Sequence, residues 1–155
     1  NGAELWVARY HGPGNFGEEV YAMAVDSSGV YVAGDSEGDG TGFDYAIVKY
    51  DTSTVEQLWV ARYNGSATSS HFPVAIALDS SGNVYVAGSS TGIGTAHDYA
   101  TVKYDTNGTE LWVARYNGPG NFGEEVYAMA VDSSGVYVAG DSEGDGTGFD
   151  YAIVK

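Results

Sequence analysis

Three tryptophans, Trp6, Trp59 and Trp112, stand at a constant interval of 53 residues, and Tyr10, Tyr63, Tyr116 and Asp26, Asp79, Asp132 keep the same spacing. No other feature of the 155-residue chain constrains its fold as strongly. A fixed period of this size means stacked units, each burying its apolar face against its neighbours rather than in a private core. Residues 1–49 and 107–155 differ only at Ala3/Thr109 and His11/Asn117, whereas the middle unit has diverged. Such near-identity marks recent amplification or deliberate design.

Within a unit, four short stretches read as strands. Val20-Tyr-Ala-Met-Ala-Val25 alternates between two faces, Asp26-Ser-Ser-Gly29 makes a tight turn, and Val30-Tyr-Val-Ala-Gly34 follows. A Gly-rich acidic loop leads to Asp44-Tyr-Ala-Ile-Val-Lys-Tyr50, and a turn such as Asp105-Thr-Asn-Gly108 leads to Leu-Trp-Val-Ala-Arg-Tyr. No segment between these strands has helical period or length, which excludes crossover helices and a parallel sheet. The expected fold class is all-β: a β-propeller of four-stranded antiparallel blades, three blades per chain.

The stretch Asp79-Ser-Ser-Gly-Asn-Val-Tyr-Val-Ala-Gly88, with Asp98-Tyr-Ala-Thr-Val-Lys-Tyr-Asp105 and Leu111-Trp112, resembles the SBBP-type β-propeller repeat family. In the outer units the Asn of the Gly-Asn turn is missing (Gly29-Val30, Gly135-Val136), which shortens that turn by one residue. The resemblance implies an exported or surface-associated bacterial or archaeal protein.

The blades are expected over about residues 20–64, 74–117 and 126–155. The chain opens on a fourth strand and closes on a third, so the last blade lacks its outer strand. Three blades are too few for a ring, since propellers have roughly four to eight. Two chains would give six blades, each lending strand 1–10 to the other's last blade, so a homodimer by strand exchange is expected; a homotrimer of nine blades is the longer alternative.

Composition narrows the function. The net charge of −15 and the even spread of the six bases, Arg9, Arg62, Arg115, Lys49, Lys103 and Lys155, leave no stripe for nucleic acid. These bases read as cross-strand ion pairs or a solvated strand face. No apolar run approaches the roughly 18 residues of a membrane span. The absence of Cys removes disulfides and thiolate chemistry.

The remaining candidates sit in the loops after the second and fourth strands, which should open on one face. Asp35, Glu37, Asp39 and Asp44, repeated as Asp141, Glu143, Asp145 and Asp150, alternate with Gly as in the first half of a Ca²⁺ loop. The position of the closing Glu is held by Ala46, and in the middle unit only Asp98 persists. Ca²⁺ binding therefore stands beside the plainer reading of a solvated acidic turn. Glu18 and Glu19 are adjacent on a strand and point apart, so they do not flank one scissile bond. His71 and His97 share the middle unit and offer a candidate metal pair that lacks further ligands. Phe16 and Phe122 are loop aromatics able to stack on a sugar or peptide. No convincing catalytic set emerges. The expected function is a non-enzymatic, self-assembling propeller scaffold, with a surface module binding glycan, peptide or Ca²⁺ as the alternative.

Overall fold

The computed structural model describes residues 2–14, 16–66, 69–146 and 148–155. Among these residues, eleven strands form three antiparallel sheets. The first contains β1 (Glu18–Asp26), β2 (Gly29–Glu37), β3 (Phe43–Tyr50) and β4 (Gln57–Tyr63). The second contains β5 (His71–Leu78), β6 (Val84–Thr91), β7 (His97–Tyr104) and β8 (Glu110–Tyr116). The third has three strands, β9 (Glu125–Asp132), β10 (Gly135–Gly144) and β11 (Gly148–Val154). Each sheet is a meander in which every strand pairs with its sequence neighbour.

The turns follow from their carboxylates. Asp26 accepts the Ser28 and Gly29 amides through one oxygen, and Asp132 does the same for Ser134 and Gly135. In the middle unit the extra residue Asn83 lengthens the turn, and Asp79 accepts its amide and side chain in addition to the Ser81 amide. The first strand of each sheet carries a register shift, at Val20/Ala22, Pro73/Ala75 and opposite Ala139/Gly140. A proline is tolerated at Pro73 because β5 is an edge strand of its sheet.

The sheets stack face to face in chain order, with β5 against β1–β3 and β9 against β5–β7. Between the first two, Tyr31, Ala33, Tyr45, Ile47 and Tyr63 meet Val84, Val86, Ala100, Val102 and Tyr104 in one buried cluster. A smaller cluster joins Ala87 and Tyr99 to Val126 and Val138 across the second junction. At roughly 1.5–3 kcal/mol per buried large apolar side chain, these clusters are the main source of cohesion between sheets.

The lysines add a contact to the ion pairing expected from the sequence, which Lys103 makes with Asp79 at 3.9 Å. Lys49, Lys103 and Lys155 lie over the rings of Tyr31, Tyr85 and Tyr137 at 4.9, 4.9 and 5.2 Å, and Lys49 is buried. The ring faces attract the ammonium while its stem covers apolar surface, a pairing that alternation alone does not reveal.

Among the described residues, two faces are not covered by another sheet, and that of the first sheet is only partly screened by Trp6, Ala8 and Tyr10. On the first sheet Val20, Met23 and Val25 are exposed, whereas Val126, the counterpart of Val20 in the third sheet, is buried. On the third sheet Tyr151 is 94% and Ile153 75% exposed, although their counterparts Tyr45 and Ile47 are fully buried. Among the described residues, 2–10 pair with no strand.

Candidate functional site

The arginines expected as framework bases organise the loop end of each complete sheet. In the first, Arg62 on β4 donates to the Ser36 hydroxyl (2.9 Å), the Ser36 carbonyl (2.6 Å) and the Asp44 carboxylate (2.9 Å). In the second, Arg115 on β8 does the same to Ser90 (2.7 and 2.6 Å) and Asp98 (2.8 Å). Each guanidinium also reaches a tyrosine hydroxyl from the preceding fourth-strand sequence, Tyr10 at 3.1 Å for Arg62 and Tyr63 at 2.8 Å for Arg115. Tyr10 thus stands toward the first sheet as Tyr63 stands toward the second. A cavity of about 480 Å³ separates Trp6, Ala8 and Tyr10 from Val20, Met23, Val30 and Val32.

Sequence reasoning missed a second repeated position. Glu18, His71 and Glu124 are 53 residues apart and occupy one site beneath a loop glycine. Glu18 accepts the Gly12 amide at 2.8 Å. His71, the first residue of β5 rather than a surface loop residue, is fully buried against the Ser90 hydroxyl at 2.9 Å. Glu124 is fully buried, and neither carboxylate oxygen has a hydrogen-bond partner among the described residues. Burial pushes its pKa up, and the carboxylates of Asp98 and Glu143 push the same way. The nearby Gly118 amide and, to a smaller extent, the Ser142 hydroxyl pull the other way without outweighing burial, although neither meets hydrogen-bonding geometry with Glu124. The 53-residue interval would have exposed this position had acid and imidazole been compared across units.

The predicted Ca²⁺ ligands are drawn to separate partners. Asp44 is buried on Arg62 and also accepts the Thr41 hydroxyl at 2.9 Å. Asp35 accepts the Tyr21 hydroxyl at 3.2 Å, which Glu19 shares at 3.1 Å. Tyr127, Glu125 and Asp141 repeat that arrangement. Glu37 and Glu143 offer backbone carbonyls to the Gly14 and Gly120 amides, and Asp39 and Asp145 are at loop tips. Among the described residues no three His, Asp or Glu side chains are placed together to hold a metal ion. His97 packs edge-on against Phe72 at 6.0 Å and its carbonyl accepts the Glu124 amide, so its ring and that of His71 serve different neighbours.

Phe16 is 67% and Phe122 57% exposed. Phe16 joins Phe43 and Phe72 around an open hollow of about 560 Å³ that also contains Tyr21, Glu19 and Asp35.

The fold and its repeated arginine clamps define an all-β repeat protein of stacked antiparallel sheets. Residues 58–94 match the family model described as SBBP: Beta-propeller repeat. The matched stretch runs from β4 through β6, so the sequence unit straddles two sheets. The comparison with curated proteins gave no match.

Proposed function

We propose that this chain is a non-enzymatic scaffold that completes a β-propeller by assembling head to tail with a second copy. One observation carries the reading: the exposed face of the third sheet has the same residues as the face of the first sheet that is buried inside the chain. Tyr137, Ala139, Tyr151 and Ile153 stand where Tyr31, Ala33, Tyr45 and Ile47 stand. Their internal partners, Val84, Val86, Ala100, Val102 and Tyr104, recur as Val30, Val32, Ala46, Val48 and Tyr50 on the outer side of the first sheet. The junction between copies therefore needs no surface that the chain does not already use. Segment 5–10 of one copy would enter as the fourth strand of the other's third sheet. Such a heterologous contact closes when its rotation permits, and two chains give six blades, within the usual range for propellers.

Light scattering behind size exclusion tests this directly. The expected mass is twice the 16.2 kDa of one chain, stable on dilution to the micromolar range. A monomer mass at all concentrations overturns the proposal.

The hollow lined by Phe16, Phe43 and Phe72 beside Glu19 and Asp35 favours a second reading, a module that binds glycan, peptide or Ca²⁺ on the long-loop face. Aromatic faces with adjacent carboxylates suit sugar hydroxyls. A glycan array and a calorimetric Ca²⁺ titration that both give no signal remove this second reading and leave the scaffold alone.

A further inference from the structure

We infer that Glu124 and Ser142 form the floor of a guanidinium socket in the third sheet, and that its occupant is Arg9 of a second copy. The inference rests on the head-to-tail assembly proposed above and identifies the polar contact that locks it.

The three sheets supply the comparison. Ser36 and Ser90 are buried, and the hydroxyl and carbonyl of each are held by the arginine of the sheet's own fourth strand. Ser142 is 4% exposed, and its hydroxyl has no hydrogen-bond partner among the described residues. Among the described residues no fourth strand pairs with the third sheet, and no arginine stands there. In the first sheet, a Cβ placed on Gly12 would lie 3.1 Å from Glu18 Oε1 and 3.3 Å from Arg62 Nη1, so carboxylate and guanidinium flank one point. At the equivalent point beside Gly118 the nearest atoms belong to the Ser142 hydroxyl and to Glu124, whose Oε1 lies at 2.6 Å, and no guanidinium is among them. A fully buried carboxylate with two unsatisfied oxygens is costly unless a positive group reaches it.

The remaining members of the clamp are in place. Asp150 is the counterpart of Asp44 and Asp98, yet it is exposed where they are buried. Tyr116 is the counterpart of Tyr10 and Tyr63, the hydroxyls that the other two arginines reach. Arg9 belongs to Leu5-Trp-Val-Ala-Arg-Tyr10, the hexapeptide that carries Arg62 and Arg115 in β4 and β8, and it is exposed. Entering as a fourth strand, it would donate to the Ser142 hydroxyl and carbonyl, to Asp150 and to Tyr116, with its charge beside Glu124. The bidentate fork of Arg suits this set of acceptors, whereas a point charge does not. Two further positions agree with the same strand. Tyr31 and Tyr85 have Trp59 and Trp112 at 6.0 and 6.1 Å, and Tyr45 and Tyr99 have Tyr63 and Tyr116 at 5.3 and 5.6 Å. Trp6 and Tyr10 would supply those rings to Tyr137 and Tyr151.

A charge-swap experiment tests the socket. Arg9→Glu and Asp150→Arg are made separately in the full chain, and folding of each is checked by circular dichroism. Each variant alone should raise the dissociation constant of the assembly by about 100-fold or more, because one partner of a desolvated charge pair is lost. In an equimolar mixture, one junction of a two-chain ring brings the two substituted side chains together with their charges exchanged, and the other junction is wild type. Native mass spectrometry should therefore show the mixed species far above either homomer. A wild type that assembles while Arg9→Glu assembles equally well, or a mixture without preference for the mixed species, overturns the socket and leaves assembly standing. A monomeric wild type overturns the assembly reading itself.

Discussion

Ile47 and Ile153 offer a matched pair of substitutions, because they hold the same position in sheets of the same local sequence. Ile47 is fully buried at the junction of the first and second sheets, whereas Ile153 is 75% exposed in the single chain. Truncating a buried Ile to Ala costs about 2–5 kcal/mol through lost transfer energy and the cavity left behind. Ile47→Ala should therefore lower unfolding stability by about that amount at every protein concentration. An exposed apolar side chain in an isolated chain is worth within about 0.5 kcal/mol. If Ile153 is buried at a junction between copies, Ile153→Ala should lose about 2–5 kcal/mol at each of two junctions, or about 4–10 kcal/mol per two-chain ring. At about 1.4 kcal/mol per decade, the dissociation constant would rise about a thousandfold or more. The assay is urea unfolding at two protein concentrations a hundredfold apart, with mass measured at both. Ile153→Ala should sharpen the concentration dependence and populate monomer at the lower concentration. A wild-type response from Ile153→Ala, together with the expected loss from Ile47→Ala, would refute the argument that the two faces do the same work.

Three other expectations rest on particular contacts. Arg115→Ala removes the guanidinium from the nearly buried Asp98, whose second oxygen already lacks a partner, and should cost about 3 kcal/mol in thermal unfolding; a loss below about 0.5 kcal/mol would show the clamp to be solvated. Ala61 pairs with Ile47 across β4 and β3, so Ala8→Cys with Ile153→Cys, in a chain that has no cysteine, should give a disulfide between chains on mild oxidation; a non-reducing gel showing only monomer, with an Ile47→Cys, Ala61→Cys control that does cross-link internally, would exclude strand exchange. Burial raises the carboxyl pKa of Asp79, but the side chain and amide of Asn83 outweigh it and hold that pKa below the ordinary value. The lowered folded pKa means the turn's contribution is present above about pH 4 and is lost as pH falls further, so Asp79→Asn should flatten the acid limb of a melting-temperature profile; an unchanged limb would remove this turn as a source of acid sensitivity.

Most of the architecture was legible because period and alternation are set by local chemistry. The 53-residue interval, the Asp-led turns and the period-2 strands specify meandering sheets without any knowledge of their neighbours. The Asp98 that persists in the diverged unit holds the position of Asp44, and each meets the arginine of its own sheet's fourth strand. The Ca²⁺ pattern read less clearly. Alternating acids on a strand can be adjacent in sequence spacing yet turn toward different partners, as Asp35 does toward Tyr21 and Asp44 toward Arg62. Burial of Glu124 and His71 was not legible, since both sit at a strand start beside loop residues and are covered only when Gly118 and Gly65 fold over them.

The hexapeptide Leu-Trp-Val-Ala-Arg-Tyr shows where local sequence stops deciding. It occurs at 5–10, 58–63 and 111–116 without change, and it is a strand at the second and third places but not at the first. Its β-propensity is identical in all three, so propensity does not explain the difference. What differs is the edge beside it: β3 precedes 58–63 and β7 precedes 111–116, and each supplies a ladder of amides and carbonyls. Among the described residues segment 5–10 has no such edge beside it, and β11 is left with one that no strand fills. An unpaired strand sequence and an unpaired strand edge of matching register are each a liability alone. Brought together between copies, they satisfy one another.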